Sequence, residues 1–247
     1  MIRLENLSIS FGNRVLIGNA DAEFNKGKLT ALIGRNGSGK STLLRAMAGL
    51  NKEFTGKILI DNHPVRSLSP KELSKLLAFV NTQRPRIPNL SCHDVVAIGR
   101  APYTDWIGKL SSEDKEIVLN SLRAVRMENY IKRTLDTMSD GECQRIMIAR
   151  ALAQDTPTIL LDEPTSFLDI PNRRELVSLL ANLAHKNSKC VIFSTHELDI
   201  ALKFCDDIAL IDNTKLFLLP VKEMLSSGHL ERLFYSEPSE SNSEIDI

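Results

Sequence analysis

The sequence predicts an α/β fold in which a helical lobe interrupts a core of alternating strands and helices. Three observations carry this. Apolar runs such as "TILL" and "CVIF" suit a sheet covered on both faces rather than a half-exposed strand. Strand-like and helix-like segments alternate after residue 150, as in an open α/β sheet. Between His93 and Arg150 the β-branched runs fade and helical spacing dominates.

Element by element, short strands are expected at "IRLENLSISF", "VLIGNADAEF", "KLTALIG" and "TGKILIDN", with Gly12-Asn13 and Lys26-Gly27 as turns. A helix should run from Lys40 to Leu50, with Gly49 near its end. A short one follows from Ser69 to Leu77, then the strand "LLAFVNT". Pro85 and Pro88 keep "QRPRIPNLSCHD" irregular. "SSEDKEIVLNSLRAVRM" opens with serine and acids, as helix starts prefer. The inserted helical subdomain is expected over residues 86–150. Beyond it, "PTILLDEP" reads as a strand, "NRRELVSLLANLAHK" as an amphipathic helix and "CVIFSTH" as a strand. "LDIALKFC" then reads as a helix and "DIALIDNTKLFLLP" as a hairpin. One last helix, "VKEMLSSGHLERLF", precedes a polar, acidic tail, "YSEPSESNSEIDI", expected to be mobile.

A chain of 247 residues can bury a sizeable core, as one large domain or as two joined lobes. With 31 basic and 31 acidic residues the formal net charge is zero, which lacks the basic excess of a nucleic-acid binder. No nucleic-acid partner is expected. No apolar run reaches the roughly eighteen residues of a bilayer span. The start alternates apolar and polar residues, unlike a signal peptide. Cys92, Cys143, Cys190 and Cys205 lie far apart without metal-ligand spacing, so they read as buried thiols in a reducing, cytosolic compartment.

The chemistry begins at "LTALIGRNGSGKSTLLRAMAG". G-x-x-x-x-G-K-S runs from Gly34 to Ser41 between an apolar strand and a helix, the context a P-loop requires. Glycines let successive backbone N–H groups converge on phosphate oxygens, and the helix start adds further free N–H groups. Lys40 can reach the β- and γ-phosphates, and the Ser41 hydroxyl suits a Mg²⁺ ion. A dinucleotide fold is a poorer fit, because G-x-G-x-x-G needs no Lys-Ser pair.

"TILLDEPTSFLD" places Asp162 and Glu163 at the end of an apolar strand, where ligands bind in open α/β sheets. Asp162 can hold magnesium directly or through water, and Glu163 can orient or deprotonate the attacking water. Gln83 follows another strand, where its amide can touch metal or water. His196 ends "CVIFSTH", where an imidazole can donate to a γ-phosphate; a helix cap is the plainer reading of a lone histidine. In "MSDGECQRIMIARAL", Ser139 and Glu142 have the spacing of a capping box, with Gly141 oddly inside the first helical turn.

Taken together, "GRNGSGKST", Gln83, "MSDGE", "ILLDEP", "SFLD" and His196 resemble, in order and spacing, the ATP-binding subunit of ATP-binding-cassette (ABC) transporters. The motif set spans residues 34 to 196, and the strand pattern extends the resemblance to about residues 1–220. It implies a P-loop NTPase fold: a RecA-like core with an antiparallel β subdomain and the inserted helical subdomain. Residues 1–220 would form the ABC ATPase domain, with 221–247 a short C-terminal helix and tail.

The resemblance also implies roles. Phe11 matches the aromatic that stacks on adenine, where the family more often has Tyr. Gly34, Arg35, Asn36, Gly37, Ser38, Gly39, Lys40, Ser41 and Thr42 would hold the phosphates of ATP, and Ser41, Asp162 and Gln83 the Mg²⁺. Glu163 corresponds to the catalytic carboxylate, His196 to the switch histidine and Gln83 to the sensor that couples to membrane subunits. Asp169 corresponds to the aspartate linking two subunits' sites. Ser139, Gly141 and Glu142 belong to the signature, whose usual form is Leu, Ser, Gly, Gly, Gln. Met138, Asp140 and Glu142 depart from it. Asp140 would bring negative charge near phosphate, so its carboxylate is expected to turn away, leaving the Ser139 hydroxyl and Gly141 N–H toward the nucleotide. Gly141 is expected where a side chain would block that approach.

In such an architecture the signature meets ATP bound by a second copy, so the expected partner is this chain itself, in a head-to-tail ATP-sandwich homodimer. Two transmembrane permease subunits would sit above it, with indirect coupling to a substrate-binding protein. The location would be peripheral, on the cytoplasmic face of the inner (cell) membrane. "GR-x-P-Y" followed by "S-x-E-D" resembles importers of ferric siderophores, haem and cobalamin. Arg84, Arg86, Ile87, Tyr103, Trp106 and Ile107 are candidate permease contacts. The alternative is a soluble cassette ATPase of repair, translation or iron–sulfur assembly. Those usually carry coiled-coil insertions or linked cassettes, which this sequence lacks.

Overall fold

The computed structural model describes residues 1–82, 88–105 and 108–235. In chain order it begins with β1 (Ile2–Phe11), β2 (Arg14–Phe24), β3 (Leu29–Gly34), α1 (Lys40–Met47), β4 (Phe54–Ile60), β5 (His63–Pro64), α2 (Pro70–Leu76) and β6 (Leu77–Val80). Next come α3 (Cys92–Ala97), α4 (Ser112–Ala124) and α5 (Asp140–Ala153). The remainder is β7 (Thr158–Leu161), α6 (Ile170–Asn187), β8 (Cys190–Ser194), α7 (Leu198–Phe204), β9 (Asp207–Asp212), β10 (Lys215–Pro220), α8 (Val221–Ser226) and α9 (His229–Tyr235). Among the described residues no helix is long and apolar enough to cross a membrane.

Two sheets organise these elements. An antiparallel sheet runs β2-β1-β4-β5, and a second sheet runs β10-β9-β3-β8-β7-β6, parallel except for the β9–β10 hairpin. Successive side chains of a strand point to opposite faces, and the core divides accordingly. Leu29, Ala31, Ile33, Ile159, Leu161, Val191 and Phe193 join one buried cluster with Val95, Val118, Leu122 and Ile146 of the inserted helices. Leu32, Leu160 and Ile192 face the other cluster, with Leu43 and Met47 of α1 and the apolar face of the antiparallel sheet. The parallel sheet is a wall with a core on either side.

The helical lobe is fixed by the residues of "GR-x-P-Y" and "S-x-E-D". Arg100 Nε donates to Asp114 Oδ1 at 2.8 Å and Arg100 Nη1 to the Ala153 carbonyl at 2.9 Å. Asp114 also completes the capping box of α4 with Ser111. The Arg100 guanidinium lies over the Tyr103 ring, 4.1 Å from its centroid.

Several boundaries differ from expectation. The helix expected from Lys40 to Leu50 ends at Met47, and Leu77 opens β6 rather than closing α2. The single last helix is two, α8 and α9, separated at Ser227-Gly228, because glycine ends a helix readily. The tail after Tyr235 lies outside the described residues.

Candidate functional site

β3 is buried along its whole length and delivers the chain to the phosphate loop. At Gly34 a Cβ would stand 2.6 Å from Ser38 Oγ and 2.9 Å from the Ile211 carbonyl, so a side chain is excluded. Gly37 and Gly39 have φ of +74° and +104°, a region that side chains disfavour. This curls the backbone into a cradle, and no side chain caps the start of α1 at Gly39. The Ser38 hydroxyl is buried without a hydrogen-bond partner. A polar atom stranded beside a glycine cradle is the arrangement an oxyanion would satisfy.

Lys40 lies over the loop, donating to the carbonyls of Gly34 at 2.9 Å and Arg35 at 3.3 Å. Burial pushes its ammonium pKa down, while the Glu163 and Asp162 carboxylates act in the opposite direction. Ser41, one residue on, donates from Oγ to Asp162 Oδ1 at 2.9 Å. A hydroxyl and a carboxylate are hard oxygen donors, as magnesium prefers.

Parallel pairing of β6, β7 and β8 aligns their ends here. Ser194, the last residue of β8, is fully buried and donates to Asp162 Oδ1 at 2.8 Å. It also accepts from the Glu163 N–H at 2.8 Å. Thr82 Oγ1 donates to the Asp162 carbonyl at 3.2 Å. Glu163 has φ +47°, an uncommon conformation for a residue with a side chain. Its Ser194 bond pins the peptide on which that side chain stands.

Lys40, Ser41 and Glu163 border a cleft of about 480 Å³, lined also by Phe11, Arg14, Leu16, Asn36, Gly37, Gly39 and Thr42, with Asp162 and Ser194 buried behind them. Phe11 is 76% exposed at its rim, open to a flat ring. Arg14 and Leu16 line the cleft although no sequence motif marks them. The spacing from Phe11 could have pointed to them, since β2 returns antiparallel to β1.

Other expected residues sit elsewhere. His196 is exposed just beyond β8. Asp169 is exposed and caps α6, accepting from Asn172 N at 3.0 Å. Ser139 and Glu142 form the anticipated capping box: Ser139 N donates to Glu142 Oε2 at 2.8 Å and Glu142 N to Ser139 Oγ at 3.3 Å. The Ser139 backbone bond holds the Glu142 carboxyl below its usual range. Ser139, Gly141 and Glu142 do not line the cleft. A Cβ at Gly141 would first meet this chain's own Leu168 Cδ2 at 3.2 Å and Phe167 carbonyl at 3.3 Å. That glycine therefore lets the signature turn pack on the loop before Asp169, whereas the sequence suggested a purely outward purpose. Asp140 is exposed in the first turn of α5. Gln83, Arg84, Arg86, Ile87, Trp106 and Ile107 fall outside the described residues.

A second groove of about 460 Å³ lies between α2, the turn around Ile98–Pro102 and α5, with Lys71, Ser74, Ile98, Arg150 and Gln154 on its walls. Burial lowers the pKa of Arg150, whose bond to the Phe79 carbonyl is long at 3.5 Å.

Comparison with known proteins agrees with this geometry. The ABC transporter family model matches residues 17–166. A petrobactin import ATP-binding protein of Bacillus anthracis is 37% identical over 217 residues, covering 87% of this chain and 79% of its own. Among solved structures, a metal-chelate type ABC transporter in an inward-facing conformation superposes with TM-score 0.82 at 28% identity, over 97% of this chain and 94% of that one. A dimeric bacterial ABC transporter cassette gives TM-score 0.80 at 28% identity, over 90% and 99%.

Proposed function

The chain belongs to the family of ABC transporter ATP-binding subunits, and from that premise we propose that it hydrolyses ATP to drive import of a chelated-iron, siderophore-type substrate. The observation that carries the chemistry is the hydrogen-bonded Ser41–Asp162–Ser194–Glu163 cluster, of which Ser41 and Glu163 line the phosphate-loop cleft. The petrobactin import in one compared protein's name supports a siderophore-type substrate, while metal-chelate transport, in the other's, covers haem and cobalamin equally.

In this reading the amides from Gly34 to Thr42 and the Lys40 ammonium hold the triphosphate, and the exposed Phe11 ring stacks on the base. Ser41 and Asp162, with Gln83, would hold Mg²⁺, which when bound offsets the negative charge of the outer phosphates. Glu163 accepts the proton of the attacking water, with its backbone fixed by Ser194. His196 donates to the γ-phosphate. Attack of water on the γ-phosphorus breaks its bond to the β,γ-bridging oxygen and yields ADP and phosphate, which removes the γ-phosphate that holds the closed state.

A cleft without Ser139, Gly141 or Glu142 is incomplete in one chain, so a second copy supplies them head to tail, and Asp169 reaches across between the sites. The dimeric state of a compared cassette supports this arrangement. The groove beside Ile98 and Arg150, with Tyr103 40% exposed next to it, is where we seat a short segment of one permease subunit, so that the two copies engage two. The substrate-binding protein acts through those subunits. The chain would then lie peripherally on the cytoplasmic face of the cell membrane, with residues 1–220 as the ATPase unit and 221–247 as an appendage.

Steady-state ATPase measurements and co-purification with permease subunits test the proposal. Glu163→Gln should bind ATP with nearly unchanged affinity and lose hydrolysis by about a hundredfold or more. Full turnover in that variant would overturn the base assignment. ATPase activity without any membrane partner in the native complex would overturn the transport role.

A further inference from the structure

The acid next to the switch histidine has partners that the proposed chemistry leaves unused. Glu197 Oε1 accepts from Thr165 Oγ1 at 2.8 Å, and Glu197 Oε2 accepts from Arg173 Nη1 at 2.9 Å. Arg173 Nε donates backward to the Leu168 carbonyl at 2.6 Å. The Glu197 side chain is only 12% exposed and that of Arg173 30%, a setting in which removing either partner strands the other. Thr165 lies two positions after Glu163, Leu168 immediately precedes Asp169, and Glu197 follows His196. One carboxylate thus gathers the loop leaving β7, the entry to α6 and the segment leaving β8.

We propose that Glu197 and Arg173 are positioning residues for hydrolysis. They hold the backbone from Thr165 to Asp169 in register with His196, so that the base, the switch histidine and the intersubunit aspartate move as one unit. The inference rests on the ATPase reading above. Its mechanical part is the guanidinium fork: Nε takes the Leu168 carbonyl while Nη1 takes the Glu197 carboxylate. A lysine ammonium keeps the charge and loses that planar two-direction geometry. Arg173→Lys therefore separates the ion pair from the hold on the loop.

The test uses the full chain with its permease partners. Arg173→Lys should lower kcat for ATP by about tenfold, about 1.4 kcal/mol of transition-state stabilisation, with KM for ATP within about twofold. The cleft residues that bind ATP are untouched, which is why KM should hold. Thermal midpoint should fall by only about 3–6 °C, since the charge pair survives and the one bond to the Leu168 carbonyl is lost. Glu197→Gln should show the same split between kcat and KM, which covers the case of a poorly folding Arg173 variant. Wild-type kcat in both variants overturns the proposal. So does a loss of kcat that follows the loss of thermal stability and is recovered in a cooler assay. Glu163→Gln run alongside keeps the readings separate. Activity retained there overturns the base assignment, whereas loss there beside normal positioning variants overturns only the present inference.

Discussion

Ser194→Ala is the sharpest probe of how the fold serves the chemistry. The hydroxyl is fully buried between Asp162 Oδ1 and the Glu163 N–H, at 2.8 Å from each. Its removal deletes a bond to a carboxylate, worth about 1.5–3 kcal/mol, and strands an amide at a cost of about 1–3 kcal/mol. Asp162 keeps its bond from Ser41, and Glu163 is only half-buried, so the lower halves of those ranges apply. A loss of about 3 kcal/mol follows, which lowers the thermal midpoint by about 6–12 °C for a chain of this size. Catalysis should suffer separately. Glu163 holds φ +47° against its preference, and without its anchor the peptide relaxes. Misplacing a reacting group by about 1 Å can cost about a hundredfold in rate, and we expect kcat to fall by about that factor with KM for ATP within about threefold. Scanning calorimetry and a coupled phosphate-release assay read both effects below the variant's melting range. A midpoint within about 2 °C of wild type together with a kcat within about threefold would refute the reasoning.

Two further outcomes follow from other parts of the structure. Arg100→Met should destabilise the chain by about 3–5 kcal/mol in urea unfolding, because its partner Asp114 and the Ala153 carbonyl lose a shared buried cation. A cycle with Asp114→Asn should then show coupling of about 1 kcal/mol or more. The capping-box carboxyl of Glu142 is held below its ordinary value of 4.5, chiefly by the Ser139 backbone N–H. A depressed folded-state pKa gives stability that is complete above the unfolded value and is lost as pH falls through the folded one. Glu142→Gln should therefore flatten the acid side of the stability profile below pH 4.5 while leaving α5 capped, as urea midpoints against pH would register.

The phosphate loop was fully legible because its chemistry is local: a few consecutive residues dictate the backbone that phosphate needs. Asp162 and Glu163 are legible for a related reason, since a carboxylate pair directly after an apolar strand points to the strand's C-terminal end, where open α/β sheets bind ligands. Ser194 was not, although "FSTH" is as plain a string as "LLDEP". Its partners depend on β8 lying beside β7, a fact of strand order that no single segment records. Glu197, Arg173 and Thr165 share that difficulty, being joined across loops from separate strands. Gly141 stands out in the sequence, but its approach to Phe167 and Leu168 is tertiary and leaves no local mark. The split between α8 and α9 at Ser227-Gly228 is masked in the sequence by apolar spacing that continues on either side of the glycine.

The two-sided parallel sheet bears on recombination between relatives. Ile159, Leu161, Val191 and Phe193 fill the same buried cluster as Val95, Val118, Leu122 and Ile146 of the inserted helices. A crossover that exchanges residues 86–150 alone would import half of that jigsaw and leave the other half native. Because α5 packs on β6, such a graft should be tolerated better when the donor's β6 residues and the strand residues of matching parity travel with it. Residues on the opposite parity, Leu32, Leu160 and Ile192, are free of that obligation because they answer to α1 and the antiparallel sheet. The lobe is continuous in the chain, yet its inheritance is interleaved, every second residue, with that of the sheet.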